Sequence, residues 1–238
     1  EEGIRCFLVH KDWKIDSAFK GKATFIKVKN TRDALQAIAA FQRNQFTKPV
    51  VGITGSNGKT IVKEWLGQVL SQSYTVAKSP KSYNSQVGVP LSIFGIQPYH
   101  QVAILEAGVS KFGEMDTLAK MIQPDLGIFT NIGTAHEEGF ESMEQKLAEK
   151  AKLFDQSEFI IYRKDHQKIH AHLSSRFAEK KLISWSDFAG ADYTLSVKKE
   201  SDRSKILLMK PDLSVFTFSV PFADQASLEN IRHVIVAS

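Results

Sequence analysis

The chain has 238 residues, 42% hydrophobic and 24% charged, enough to bury a sizeable core in one large domain or one domain plus part of a neighbour. Its single cysteine, Cys6, excludes an intrachain disulfide, and no apolar run approaches the roughly 18 residues of a membrane-spanning helix. With one cysteine and nothing resembling a signal peptide, a cytoplasmic setting is expected; the formal charge of +5 comes from scattered bases, not a basic helix with interleaved aromatics, so a nucleic-acid surface is not.

In chain order, residues 5–9 and 23–28 read as short strands separated by polar loops. Asn30 or Thr31 can cap a helix through Gln42 that carries Ala34, Leu35, Ile38 and Phe41 on one side. Residues 45–49 read as a linker, because Pro49 holds its predecessor extended. Val50–Thr54 predicts a buried strand, followed by a glycine loop and a helix with Ile61, Val62, Trp65, Leu66, Val69 and Leu70 at helical spacing. Further on, Val102–Glu106 predicts a strand, Glu114–Ile122 a helix, 126–130 a strand and 142–154 a helix, with strands at 159–162 and 182–185. Strands alternating with helices imply an α/β fold: a mostly parallel sheet of P-loop type, flanked by helices, with ligands at the strands' carboxyl ends. Residues 192–221 suggest a small antiparallel meander. Glu1 at the start, and an apolar-periodic run at 231–238 that stops mid-pattern, suggest a piece of a longer protein.

The strongest local signal is Thr54-Gly55-Ser56-Asn57-Gly58-Lys59-Thr60, set between a strand and a helix. Glycines let backbone wrap a phosphate chain, and N–H groups at the helix start point at it. Lys59 would neutralise the terminal phosphates and the Thr60 hydroxyl would meet Mg²⁺. The general P-loop pattern requires a glycine at position 53; here Ile53 stands there and Gly52 lies one place early. Glu106 ends its strand toward the same crevice and could hold Mg²⁺, although a strand-end glutamate is more often simply solvated. His136, in the run Thr130-Asn131-Ile132-Gly133-Thr134-Ala135-His136, is by itself more often a loop hydrogen-bonder than a metal ligand. In the helix opened by the Ser142–Gln145 capping box, the buried stripe runs Met143, Leu147, Lys150, Phe154, leaving Lys146, Glu149 and Lys152 for solvent. A lysine on an apolar stripe must be paired, neutralised, chemically changed or reach water along its stem.

Taken together, the phosphate loop, Asn84 with Gly88-Val89-Pro90-Leu91, Glu106-Ala107-Gly108, the run from Thr130 to His136, and Lys150-Ala151-Lys152-Leu153-Phe154 resemble the Mur ligase family. Phosphate loops of that family share the T-G-x-x-G-K-T form. The resemblance implies ATP and Mg²⁺. Residues 55–60 would bind the nucleotide, Thr60, Glu106 and His136 would hold metal, and Asn84 would lie near the γ-phosphate. Lys150 would be the lysine that such ligases carbamylate with CO₂. Asn230 matches the asparagine near adenine in the H-N-x-x-N element, where Ala226 and Ser227 replace the histidine and first asparagine. The phrasing of 84–91 and 106–108 resembles the branch that joins D-alanyl-D-alanine to UDP-N-acetylmuramoyl-tripeptide. Residues 59–66 resemble members fused to an alanine racemase. By the same resemblance, 1–47 would be the last part of a UDP-substrate domain and 48–238 the central ATP-binding domain. The C-terminal ligase domain would be absent, so the 238 residues alone would bind nucleotide weakly and turn over little. A folylpolyglutamate-synthase-like ligase and a non-catalytic nucleotide-binding module are the alternatives.

Overall fold

Residues 3–19, 21–133 and 139–238 are described by a computed structural model. The first segment forms strand β1 (Cys6–His10), paired in parallel with β2 (Thr24–Val28), and helix α1 (Thr31–Asn44). There follow β3 (Val50–Thr54), α2 (Lys59–Leu70), β4 (Val76–Lys78), α3 (Gly88–Phe94), β5 (Val102–Glu106), α4 (Glu114–Ile122) and β6 (Leu126–Phe129). Helix α5 (Met143–Ala151) tightens into a 3-10 turn at Lys152–Phe154, then come β7 (Phe159–Arg163), α6 (Gln167–Arg176) and β8 (Lys181–Ser186). Strands β9 (Tyr193–Glu200), β10 (Arg203–Met209) and β11 (Val215–Val220) precede the last helix, α7 (Gln225–Ala237).

One nine-stranded sheet runs in the order β11-β10-β9-β8-β7-β6-β3-β5-β4. It is parallel from β4 through β9, and only β10 and β11 run antiparallel to their neighbours. The expected meander is therefore the edge of the main sheet and not a separate unit. Side chains alternate across the strands, as a period of two requires. Ala103, Leu105 and Phe129 join one cluster with residues of α1, α3, α4, α5 and α6, whereas Val102, Ile104 and Ile128 join another with residues of α2 and α7. The result is three layers.

Two helices turn a different face inward from the one their apolar pattern predicts. On α1, Ile38 and Phe41 are 45% and 68% exposed, while Gln36, Ala39 and Arg43 are buried. Arg43 decides this orientation: its guanidinium donates to the backbone oxygens of Ile122, Gln123 and Phe46, each at 2.8 Å, and so ties α1 to the end of α4. On α2, Ile61 and Val69 are exposed, and Lys63 and Gly67 are buried with Val62 and Leu66. The inward place of Lys63 follows from the buried carboxylate of Glu106, 3.0 Å away.

Candidate active site

The chain order reverses at β3, with β5 and β4 on one side and β6 and β7 on the other, so a crevice opens at its carboxyl end. Gly52 serves packing there: a Cβ would stand 2.7 Å from that of Pro124. The loop proper needs Gly55 and Gly58, with φ of +143° and +82°. A Cβ on them would meet the Thr130 hydroxyl at 2.0 Å and the Asn230 amide oxygen at 2.2 Å. Gly58 is also the N-cap of α2, whose first-turn N–H groups consequently open into the crevice.

The exit of β6 braces this loop. Asn131 accepts from the backbone N–H of Ser56 (2.9 Å, through its carbonyl) and of Asn57 (3.0 Å, through its side chain). Thr130 donates its hydroxyl to the Asn57 carbonyl at 2.6 Å, and the Gly133 N–H donates to the Ser56 hydroxyl at 3.0 Å. By local pattern Thr130 and Asn131 are only members of the run that leaves β6. Their support of residues 55–57 depends on strand pairing between β3 and β6, which local pattern does not reveal.

Lys59 turns its ammonium onto the loop's own carbonyls, Gly55 at 2.9 Å and Ser56 at 3.2 Å. Burial pulls its pKa down, against the opposing charge of Glu106. Glu106 is fully buried; its Oε2 accepts from the Thr60 hydroxyl at 3.1 Å and from the Asn84 amide at 3.3 Å. Its Oε1 lies 3.0 Å from Lys63 Nζ yet has no aligned hydrogen bond. Its charge is paired, but part of its acceptor capacity is unused.

Lys150 is 2% exposed and donates to the Gly55 carbonyl at 3.3 Å. Burial first, then the charges of Lys59 and Lys146, push its pKa down to about 7, against the raising effect of Glu149. The expectation that Lys146 and Glu149 face solvent is corrected: they are 1% and 0% exposed. Polar partners line that side of α5. Glu149 accepts from the Met115 N–H at 2.7 Å and pairs with Lys152 at 2.9 Å, and Lys146 donates to the Gly133 carbonyl. Asn230 is 4% exposed on α7 and lies against Gly58. His136 lies outside the described residues. A cavity of about 370 Å³ is lined by Lys59, Asn84, Gln86, Ser110, Lys150 and Arg32, among others.

Seven residues singled out in the sequence thus surround one crevice: Gly55, Gly58, Lys59, Thr60, Asn84, Glu106 and Lys150. Ser56 and Asn57 complete the loop between them. Among the described residues no group of three or more His, Cys, Asp or Glu could hold a metal. A Mg²⁺ that accompanies a nucleotide needs only one or two protein oxygens beside phosphate and water, and the Thr60 hydroxyl with the Glu106 Oε2 it faces, two hard oxygen donors, fits that donor set. Lys63 joins this site as well; its position four residues after Lys59, on the same helix face, is the local signal for it.

Residues 53–238 match the model of the Mur ligase middle domain. The chain belongs to that family. The UDP-N-acetylmuramoyl-tripeptide–D-alanyl-D-alanine ligase of Treponema pallidum (strain Nichols) is 42% identical over 131 residues, which is 55% of this chain and 28% of that protein. Among solved structures, MurF from Acinetobacter baumannii superposes with a TM-score of 0.85 at 23% identity, over 98% of this chain and 56% of that one. MurF ligase from Thermotoga maritima in complex with ADP gives 0.81 at 23% identity, over 98% of this chain and 60% of that one. These superpositions identify the fold. The chain spans under a third of the Treponema relative and a little over half of each solved Mur ligase.

Proposed function

We propose that this chain is the nucleotide-binding part of a cytoplasmic ligase that joins UDP-N-acetylmuramoyl-tripeptide to D-alanyl-D-alanine at the expense of ATP, a step of peptidoglycan precursor synthesis. The observation that carries the reading is the convergence of Lys59, Thr60, Asn84, Glu106 and Lys150 on one crevice, in a chain of the Mur ligase family. The name and 42% identity of the Treponema relative support the choice of substrates. In this reading 1–47 close a UDP-substrate domain, 48–238 form the ATP-binding domain, and a C-terminal ligase domain completes the protein. The likeness of residues 59–66 to racemase-fused members supports a further alanine racemase domain.

The tripeptide carboxylate attacks the γ-phosphorus of ATP, its bond to the bridging oxygen breaks, and ADP leaves. The amine of D-alanyl-D-alanine then adds to the acyl phosphate, and loss of phosphate and a proton completes the amide. Backbone N–H groups from Gly58 into the first turn of α2 meet the phosphates, in a loop whose Ser56 and Asn57 N–H groups are held by Asn131, and Lys59 leaves the loop carbonyls to balance charge on the transferring phosphoryl group. Thr60, Glu106 and His136 would hold Mg²⁺, which supplies charge stabilisation at the phosphates. Asn84 orients the reacting carboxylate beside the γ-phosphate, and Asn230 borders the nucleoside. Lys150, with a pKa of about 7, is roughly half uncharged at neutral pH. A neutral amine is the form that adds to CO₂, forming a C–N bond and releasing a proton, so Lys150 is suited to become a carbamate that positions the phosphates.

The test is ADP formation by the full-length protein in buffers with and without bicarbonate. Turnover should require both the tripeptide and D-alanyl-D-alanine and should fall when CO₂ is removed. ATP hydrolysis indifferent to both substrates would overturn the reading. The 238-residue chain alone should bind nucleotide and turn over little.

A further inference from the structure

Lys63 is a buried lysine to which the two-step reaction gives no task. Its side chain is 0% exposed, and so is that of Glu106, whose Oε1 it meets at 3.0 Å. The same ammonium reaches Glu64 Oε1 at 3.0 Å and donates to the carbonyls of Ser79, at 2.6 Å, and Lys81. Lys63 lies on α2 between Val62 and Leu66, where an apolar side chain would bury at no electrostatic cost. What it gains from its charge is a hold on three segments at once: α2, the end of β5, and the stretch from Ser79 to Asn84.

That stretch contributes to the crevice. Ser82 shares a hydrogen bond with the Thr60 hydroxyl at 3.2 Å, and Asn84 donates to the Oε2 of Glu106 at 3.3 Å. Between Ser79 and Ser82, Lys81 holds φ of 48°, a left-handed conformation that a residue with a side chain adopts only where its surroundings impose it. The bond from Lys63 to the Lys81 carbonyl is such an imposition. Fastened in this way, one oxygen of Glu106 faces Lys63 while the other is turned toward Thr60 and Asn84.

We infer that Lys63 is a positioning residue: its ammonium fixes the Glu106 carboxylate and the stretch from Ser79 to Asn84 so that Thr60 and Glu106 Oε2 meet the divalent cation that accompanies the nucleotide. This rests on the reading of the crevice as a metal–nucleotide site. Lys63 touches neither substrate nor metal. Its effect is to pre-orient one ligand and to confine the loop beside it.

The experiment is Mn²⁺ binding followed by electron paramagnetic resonance, with saturating ADP, on the unaltered full-length protein and on its Lys63→Gln, Lys63→Met and Lys63→Arg variants. Thermal melting without metal is measured on each. Lys63→Gln, close in size and still a donor, should melt below the unaltered chain because the buried Glu106 loses its paired charge, and where folded should lose about tenfold or more in Mn²⁺ affinity, the usual consequence of removing a support behind a metal ligand. Lys63→Arg should recover most of the loss. Mn²⁺ affinity in Lys63→Gln equal to that of the unaltered chain overturns the inference alone. If Lys63→Gln fails to fold, Lys63→Arg carries the test: a folded Lys63→Arg that binds no better than a Glu106→Gln control overturns it. Absence of ADP-dependent Mn²⁺ binding by the unaltered chain overturns the metal site and this inference with it.

Discussion

At the scale of single residues, three lysines with different tasks border the crevice, Lys59 half-buried and Lys63 and Lys150 buried. Lys59 sits on the loop, Lys63 behind the acidic residue, and Lys150 across from both on α5. Lys150 makes stability depend on pH. Its pKa falls from 10.5 to about 7, so between those values the unfolded chain binds the proton that the folded one has released. Stability must therefore rise with pH across that window, and the cost of burying the charge is fully present below it. In CO₂-free buffer, Lys150→Met should be more stable than the unaltered chain at pH 6.5 by roughly a few kcal/mol, with a smaller advantage at pH 9. Urea denaturation at the two pH values reads this directly, and a pH-independent difference would remove the buried charge as its cause.

At the scale of elements, two contacts decide how helices dock. Gly58 ends the phosphate loop in a left-handed conformation directly beneath Asn230 of α7, so neither a side chain nor an ordinary φ fits. Gly58→Ala is expected to push α7 outward, to cost about 1–3 kcal/mol, and to abolish measurable nucleotide binding. Calorimetry with ADP and Mg²⁺ beside a urea curve separates the two effects. Arg43 is the second contact. Removing it by Arg43→Met leaves carbonyls of Ile122, Gln123 and Phe46 without their donor, with an expected loss of about 2–4 kcal/mol. Since Arg43 is remote from the loop, ADP affinity of the folded fraction should stay within about twofold.

Across the whole molecule, α7 is bound to the sheet through His233, fully buried between Trp185 and β6. The Trp185 indole N–H donates to Nδ1 at 3.1 Å, which leaves Nε2 to carry the proton and donate to the Thr130 carbonyl at 3.1 Å. Burial holds the ring neutral by lowering its pKa from 6.5 to about 4. A pKa lowered in the folded state gives stability that is present above pH 6.5 and lost as pH falls toward 4. The urea midpoint should drop across that range, and His233→Gln should flatten the drop. Nucleotide binding should act on the same global unfolding. ADP with Mg²⁺ at a hundred times its Kd contributes about 2.7 kcal/mol, on the order of 5–10 °C in Tm for a domain of this size, and Lys59→Met should lose that shift.

Much of this architecture was legible in local pattern. Val50–Thr54, Val102–Glu106 and Glu114–Ile122 are long enough, and apolar enough, for period alone to define them. The glycine loop is legible because phosphate wrapping leaves few alternatives to glycine and lysine. Other elements were not legible. β4 has three residues, α3 opens on Gly88-Val89-Pro90, and α6 buries only Ile169 and Leu173, so none carries a strong period. The sequence by itself determined the alternating α/β order, the loop chemistry and the inward place of Lys150. Only the tertiary structure decided which faces of α1 and α2 turn inward, that Lys146 and Glu149 are buried beside Lys150, and that Lys63 supports Glu106. The physical reason is the same in each case: a polar residue goes inside when a partner far along the chain meets it there, and local hydrophobic periodicity holds no information about that partner.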